Sequence, residues 1–181
     1  MASLFIASLL FALVVVRPAL ADQNDPRLDA LFEILRTGPS YAHVVRAEAQ
    51  IWIIWTQHED ESAQLLMNDG VRAMNLGDMT KARGLFDVLI AEQPEFAEAW
   101  NKRATVNYLL ADFEASLRDI EATLALEPRH FGALAGRGLV QSALGNVPEA
   151  IASFEQTLVV HPWAPGARMN LESLRRANPP I

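Results

Sequence analysis

The chain has 181 residues, 51% hydrophobic and 20% charged, with a formal net charge of −7. That length suits one domain with a real core, and the acidic balance argues against phosphate-driven nucleic-acid binding and against docking on anionic lipid. No cysteine is present, which excludes disulfides, thiolate zinc sites, cysteine nucleophiles and lipid attachment at a processed cysteine.

The chain opens on MASLFIASLLFALVVV, a stretch without charge. Its apolar run Leu4–Val16 has the length of a signal-peptide core and falls short of the roughly 20 residues a membrane span needs. Arg17-Pro18 ends the run, and Ala19-Leu20-Ala21 supplies an A-x-A cleavage pattern. Residues 1–21 are therefore read as a signal peptide cleaved after Ala21. The mature chain then begins at Asp22 and is one charge more acidic, because Arg17 is the only charged residue removed. No Lys or Arg precedes the apolar core, so an uncleaved membrane anchor and a start codon assigned too late stay open as alternatives. Export fits a cysteine-free chain in an oxidising compartment. The pattern looks bacterial, and the expected location is the periplasm, or a membrane-anchored form facing it.

Residues 22–62 predict a helical hairpin. Asp25-Pro26 is a helix start, a capping acid followed by proline in the first turn. Leu28, Leu31, Phe32 and Leu35 follow at helical spacing, and TGPS at 37–40 breaks the helix. A second helix over about Tyr41–His58 carries Val45, Ala49, Trp52, Ile53 and Trp55. Its IWIIW is too short for a membrane, and the flanking alanine and glutamate favour helix over strand.

From residue 63 the sequence repeats. Pro94, Pro128 and Pro162 are evenly spaced. In the same register Gly70, Ala104 and Gly138 coincide, as do Ala82, Ser116 and Ala150, and Phe86, Ile120 and Phe154. Gly77, Ala111 and Gly145 occupy a turn, each followed by Asp78, Asp112 or Asn146. The pattern describes a helical hairpin made three times. Small residues sit where two helices cross, and large apolar residues fill the layer between hairpins. Gly77 and Gly145 can take the left-handed conformation that stops a helix. The following Asp or Asn can cap the next one. Each proline ends the second helix, because it lacks an N–H and disfavours helical geometry in the residue before it.

These features resemble the tetratricopeptide repeat, whose unit has this length, small residues at the helix crossing, a bulky residue in the second helix and a proline at the joint. The resemblance covers about Ala63–Ala164 and divides the chain into repeats over 63–96, 97–130 and 131–164. It implies an all-α, right-handed α-solenoid of helical hairpins. The hairpin over 22–62 is then read as a degenerate repeat packed on the first true one, and 165–181 as a solvating cap with a frayed ANPPI tail.

The stretch EPRHFGALAGRG, 127–138, places His130 between Arg129 and a glycine-rich segment. Because the same joint recurs at Pro94 and Pro162, it reads as a joint between hairpins and not as a phosphate loop; no GxxxxGK[ST] or GxGxxG reading survives. Gly138 falls at the helix crossing, while Gly132 and Gly136 are expected towards the groove, leaving room for a ligand chain. His43, His58, His130 and His161 show no metal-ligand spacing, and no catalytic motif is present. No metal, cofactor or enzyme activity is expected.

In the tetratricopeptide family the first helix of each hairpin lines a concave groove that binds other proteins. The resemblance therefore places Met67, Asn68, Val71, Met74 and Asn75 from the first repeat in that groove. Asn101, Lys102, Thr105, Tyr108 and Leu109 come from the second, and Ala135, Leu139 and Ser142 from the third. Adaptable methionines, an aromatic ring and amides suit an extended backbone. One subfamily grips C-terminal carboxylates with cations and asparagines. Met67, Val71, Gly132 and Gly136 stand where much of that clamp would be, so that ligand is not expected. The expected function is that of a non-enzymatic exported adaptor or scaffold with a protein or peptide partner. The alternative is a structural subunit of a cell-envelope complex that binds through its convex face or its N-terminal hairpin, membrane-tethered if the leader is retained.

Overall fold

The computed structural model describes residues 22–178. The expected signal peptide and the last three residues of the tail lie outside them. Among the described residues the structure is nine helices and no strand. α1 is Leu28–Thr37 and α2 Tyr41–Thr56; α3 Glu61–Asn75 pairs with α4 Met79–Glu92; α5 Ala97–Leu109 with α6 Phe113–Leu126; α7 Phe131–Ala143 with α8 Val147–Val160; α9 is Pro165–Ala177. Each helix from α3 to α9 packs against the next, and α5 also touches α3 and α7, so the first helices of the hairpins share one face.

The turns within hairpins follow the expected chemistry. Gly77 and Gly145 both sit at φ 79°, and Ala111 holds the same left-handed turn at φ 59°. Asp78 accepts a hydrogen bond from Lys81 N–H and Asp112 from Ala115 N–H. Asn146 departs from this pattern. Its side chain makes no cap and instead donates to Gln141.

The helix crossings need the small residues. A Cβ at Gly70 would meet the Phe86 ring at 2.5 Å, and one at Gly138 would meet Phe154 at 2.6 Å. In the second repeat the crossing carries Ala104, whose carbonyl accepts a 2.8 Å hydrogen bond from the Ser116 hydroxyl. Phe86, Ile120 and Phe154 are all buried, one in each layer.

The N-terminal hairpin sits elsewhere than expected. α1 and α2 form a core of their own from Leu28, Leu31, Phe32, Leu35, Val44, Ala47, Ile51, Ile54 and Trp55, which the array joins through Phe131. The hairpin does not extend the stack beside the first repeat: α2 crosses to α5, and α1 reaches α8. The reason lies in which face of α2 is apolar. Val44, Ala47, Ile51, Ile54 and Trp55 turn inward, while Val45, Ala49 and Ile53 are exposed. Trp52 and Trp55 then have to find cover, and they find it at the joint between the second and third repeats.

Candidate interaction surface

The joint at 127–131 is where hairpin and array meet. His130 is fully buried and stands at the head of α7. Its Nδ1 accepts the Ala133 N–H at 3.1 Å, which leaves the ring proton on Nε2 to donate to Glu98 Oε2 at 2.9 Å. The imidazole stacks on Trp55 with centroids 4.0 Å apart and planes 11° from parallel. Trp52 meets Phe131 edge-on at 5.2 Å. On the outer side Arg129 lies over the Phe32 ring at 4.3 Å and pairs with Asp29 at 2.6 Å.

Glu98 is the centre of this cluster. It is 1% exposed, and Lys102 Nζ stands 2.8 Å from its Oε1, while Asn101 Nδ2 donates to Oε2 at 3.0 Å. Burial pushes its carboxyl up, but the Lys102 ammonium and the His130 hydrogen bond outweigh that and hold it below the ordinary glutamate range. Lys102 also sits 5.4 Å from the Trp52 ring centroid. A carboxylate in a site this dry survives only with such partners.

Two of the residues expected to meet a partner are thus engaged inside the protein. Asn101 is buried on Glu98, and Lys102 is paired with Glu98 beneath Trp52. Met67 is also buried, in the core shared by α3 to α5. Gly132 does make room, but for the chain's own Trp52: a Cβ there would come within 2.6 Å of the indole. Asn68, Asn75, Thr105 and Leu109 are exposed, and Val71, Met74, Tyr108, Ala135, Leu139 and Ser142 are half-buried.

Two of the surface clefts bear on the face of α3, α5 and α7. One, of about 60 Å³, lies between α5 and α7, where Thr105, Tyr108, Gly136 and Leu139 border it over a floor of Ala104 and Ile120. The other, of about 620 Å³, lies between Ile53 of α2, with Gln57 just past its end, and Gln64, Asn68 and Val71 of α3. Gln64 ties its end shut: its amide accepts from His58 N–H at 2.8 Å and donates to the Thr56 carbonyl at 3.2 Å. Among the described residues no group of three or more His, Asp or Glu is placed to hold a metal ion, and no helix is long and apolar enough to cross a membrane.

The Glu98–His130–tryptophan cluster was not visible in the sequence. Glu98 and His130 lie 32 residues apart, near the two ends of the second repeat, and nothing local marks them as partners. The usable signal was Trp52 on one hairpin and Gly132 at the joint, aromatic bulk matched by a missing side chain.

Stacked hairpins in one even register, with their first helices on one face, define a helical-repeat solenoid, and similarity to known proteins agrees. A tetratricopeptide-repeat family model matches residues 110–168. A TPR repeat-containing protein of Rhizobium etli is 33% identical over 136 residues, 75% of this chain and 67% of that one. Tetratricopeptide repeat protein 36 of Mus musculus is 33% identical over 91 residues, and the match spans 48% of its length. Among solved structures, the first TPR domain of Spaghetti (RPAP3) bound to an HSP90 peptide superposes with a TM-score of 0.63 at 22% identity, covering 66% of this chain and 94% of that one. The MamA protein superposes with a TM-score of 0.60 at 18% identity, covering 83% and 80%. The chain belongs to the tetratricopeptide-repeat family.

Proposed function

We propose that the chain is a non-enzymatic interaction module, an exported adaptor that binds a peptide segment or protein partner on the face shared by α3, α5 and α7. The observation that carries this reading is the part of that face which α2 leaves uncovered, where Thr105 and Tyr108 border a cleft floored by apolar side chains. Partly exposed apolar and aromatic groups suit the side chains of a bound peptide. Neighbours of the same fold support it: the first and second TPR domains of RPAP3 are solved with an HSP90 peptide and an HSP70 peptide. Export rests on the apolar run and A-x-A pattern of residues 1–21.

Crosslinking in intact cells tests the binding face. Thr105→Arg places a charge at an exposed position of that face, and Glu92→Ala on α4 is the control. A partner captured by wild type and control but lost from Thr105→Arg is the expected result. Equal capture by all three would overturn the face. Sequencing the N-terminus of the isolated protein tests export: a start at Asp22 is expected, and an intact leader in the membrane fraction means a tethered form.

A second reading keeps the structural-subunit alternative. Tyr41 and Trp163 are 59% and 42% exposed and touch each other at a ring distance of 6.1 Å where α2 passes the last joint. Loss of the partner from Tyr41→Ala, with Thr105→Arg unaffected, would move binding to the hairpin.

A further inference from the structure

The cleft between α2 and α3 has walls of different origin. One wall is α3, part of the repeat array. The other is α2, which the array alone would not possess. α2 is not a removable cover. Leaving the array would strip Trp55, Phe131 and His130 of their contacts, and each of these is at most 5% exposed. Re-exposing that much apolar surface to water is strongly unfavourable, so the hairpin stays docked and the cleft is a standing feature of the molecule.

Its chemistry is unusual for an acidic chain. One residue in five is charged and the net charge is −7, yet among the described residues no cation or carboxylate lines this cleft. Ile53, 54% exposed, and Val71 offer apolar surface on its two sides over buried Met67. Gln57 and Asn68 are exposed amides, and Asn68 uses its carbonyl oxygen to accept from Gln64 at 3.2 Å, which leaves its N–H donors outward. Such a lining has donors and acceptors for a peptide backbone and apolar ground for a side chain. It has nothing to neutralise a charge, and a charged group moved there from water would be desolvated without compensation.

We infer that the cleft between α2 and α3 binds an uncharged, extended peptide segment that seats an apolar side chain between Ile53 and Val71 and presents its backbone to Gln57 and Asn68. The inference rests on the adaptor reading and deepens it, because it names the chemistry of the segment. It also separates this protein from a carboxylate-gripping relative, since Lys102, the one cation among the expected groove residues, is spent on Glu98 and Trp52.

The test uses residues 22–181 as one chain, immobilised and panned against a phage-displayed library of random peptides. Recovered peptides are synthesised and titrated against wild type, Ile53→Glu, Ile53→Lys and Thr105→Arg. Ile53 is exposed, so neither substitution removes core contacts, and circular dichroism confirms that each variant stays folded. The expected result is a set of uncharged, apolar-bearing peptides whose binding falls about tenfold with both Ile53→Glu and Ile53→Lys. Tighter binding with one sign of charge would reveal a charged ligand and overturn the inference. So would peptides indifferent to both substitutions, or no enrichment at all. Peptides that lose binding only with Thr105→Arg would overturn it too, while leaving the adaptor reading standing on the α5–α7 cleft.

Discussion

Replacing His130 by alanine withdraws three supports at once. The Nδ1 acceptor for the Ala133 N–H goes, and a lost helix cap costs about 1 kcal/mol. The ring stacked on Trp55 goes, which costs about 1 kcal/mol beyond its buried area. Glu98 Oε2 keeps Asn101 as a donor but loses the imidazole, and a buried polar group deprived of a partner costs about 1–3 kcal/mol. These effects share atoms and do not simply add; the expected destabilisation lies below their sum, at about 2–4 kcal/mol. Urea unfolding followed by tryptophan fluorescence and by far-ultraviolet circular dichroism reads it, with coincidence of the two curves checking that the transition is two-state. His130→Asn restores a capping oxygen without reaching Glu98 and recovers about 1 kcal/mol. A double-mutant cycle with Glu98→Gln gives a coupling of about 1 kcal/mol or more. A loss below about 1 kcal/mol for His130→Ala, or no coupling with Glu98→Gln, would mean that this joint does not fasten hairpin to array.

Three further outcomes follow from the same geometry. Gly84, mid-helix in α4 with nothing within 4 Å of its absent Cβ, gains about 1 kcal/mol on Gly84→Ala, whereas Gly138→Ala drives a Cβ into Phe154 and loses about 1–3 kcal/mol; opposite signs in parallel urea melts are the check. Ala111→Gly relieves a left-handed alanine at φ 59° and adds about 1 kcal/mol, read as a rise in melting temperature, and a fall would mean the turn is not strained. For Glu98, whose folded carboxyl is held below its ordinary range, the native state binds fewer protons than the unfolded chain in the acid range, so stability rises with pH through that window and is lost as pH falls below about 4.5. Glu98→Gln flattens the melting-temperature profile there, and an unchanged acid limb would show that another group sets it.

The repeat register was legible because three hairpins make the same demands three times. Prolines end the second helices, glycines or an alanine take a left-handed φ, and small residues face Phe86, Ile120 and Phe154. Repetition averages out local ambiguity. The hairpin at 22–62 occurs once and has no such averaging. Val45, Ala49 and Ile53 stand among the apolar residues of its second helix but point outward, because the stripe that matters runs through Val44, Ala47, Ile51 and Ile54. An all-apolar IWIIW offers no period from which to choose. Its docking site was hidden for a different reason. Family resemblance locates residues on a face but does not say whether the face is free, so Asn101 and Lys102 lie on the first helix of the second repeat and yet are engaged with Glu98. Gly132 does make space, but its tenant, Trp52, belongs to another hairpin far upstream in the sequence.

Repeat proteins of this kind are ordinarily linear: each unit touches only its neighbours, and an array can fray from either end one hairpin at a time. Here Gln23 bridges the Glu95 carbonyl and the Ala97 N–H, Arg129 reaches back 100 residues to Asp29, and α1 touches α8. Those links turn the ladder into a loop. The third repeat cannot peel away without also breaking the hairpin that precedes the first, so the described residues should unfold as one unit and fold more slowly than a linear array of the same length, since distant chain ends must meet before the joint can close.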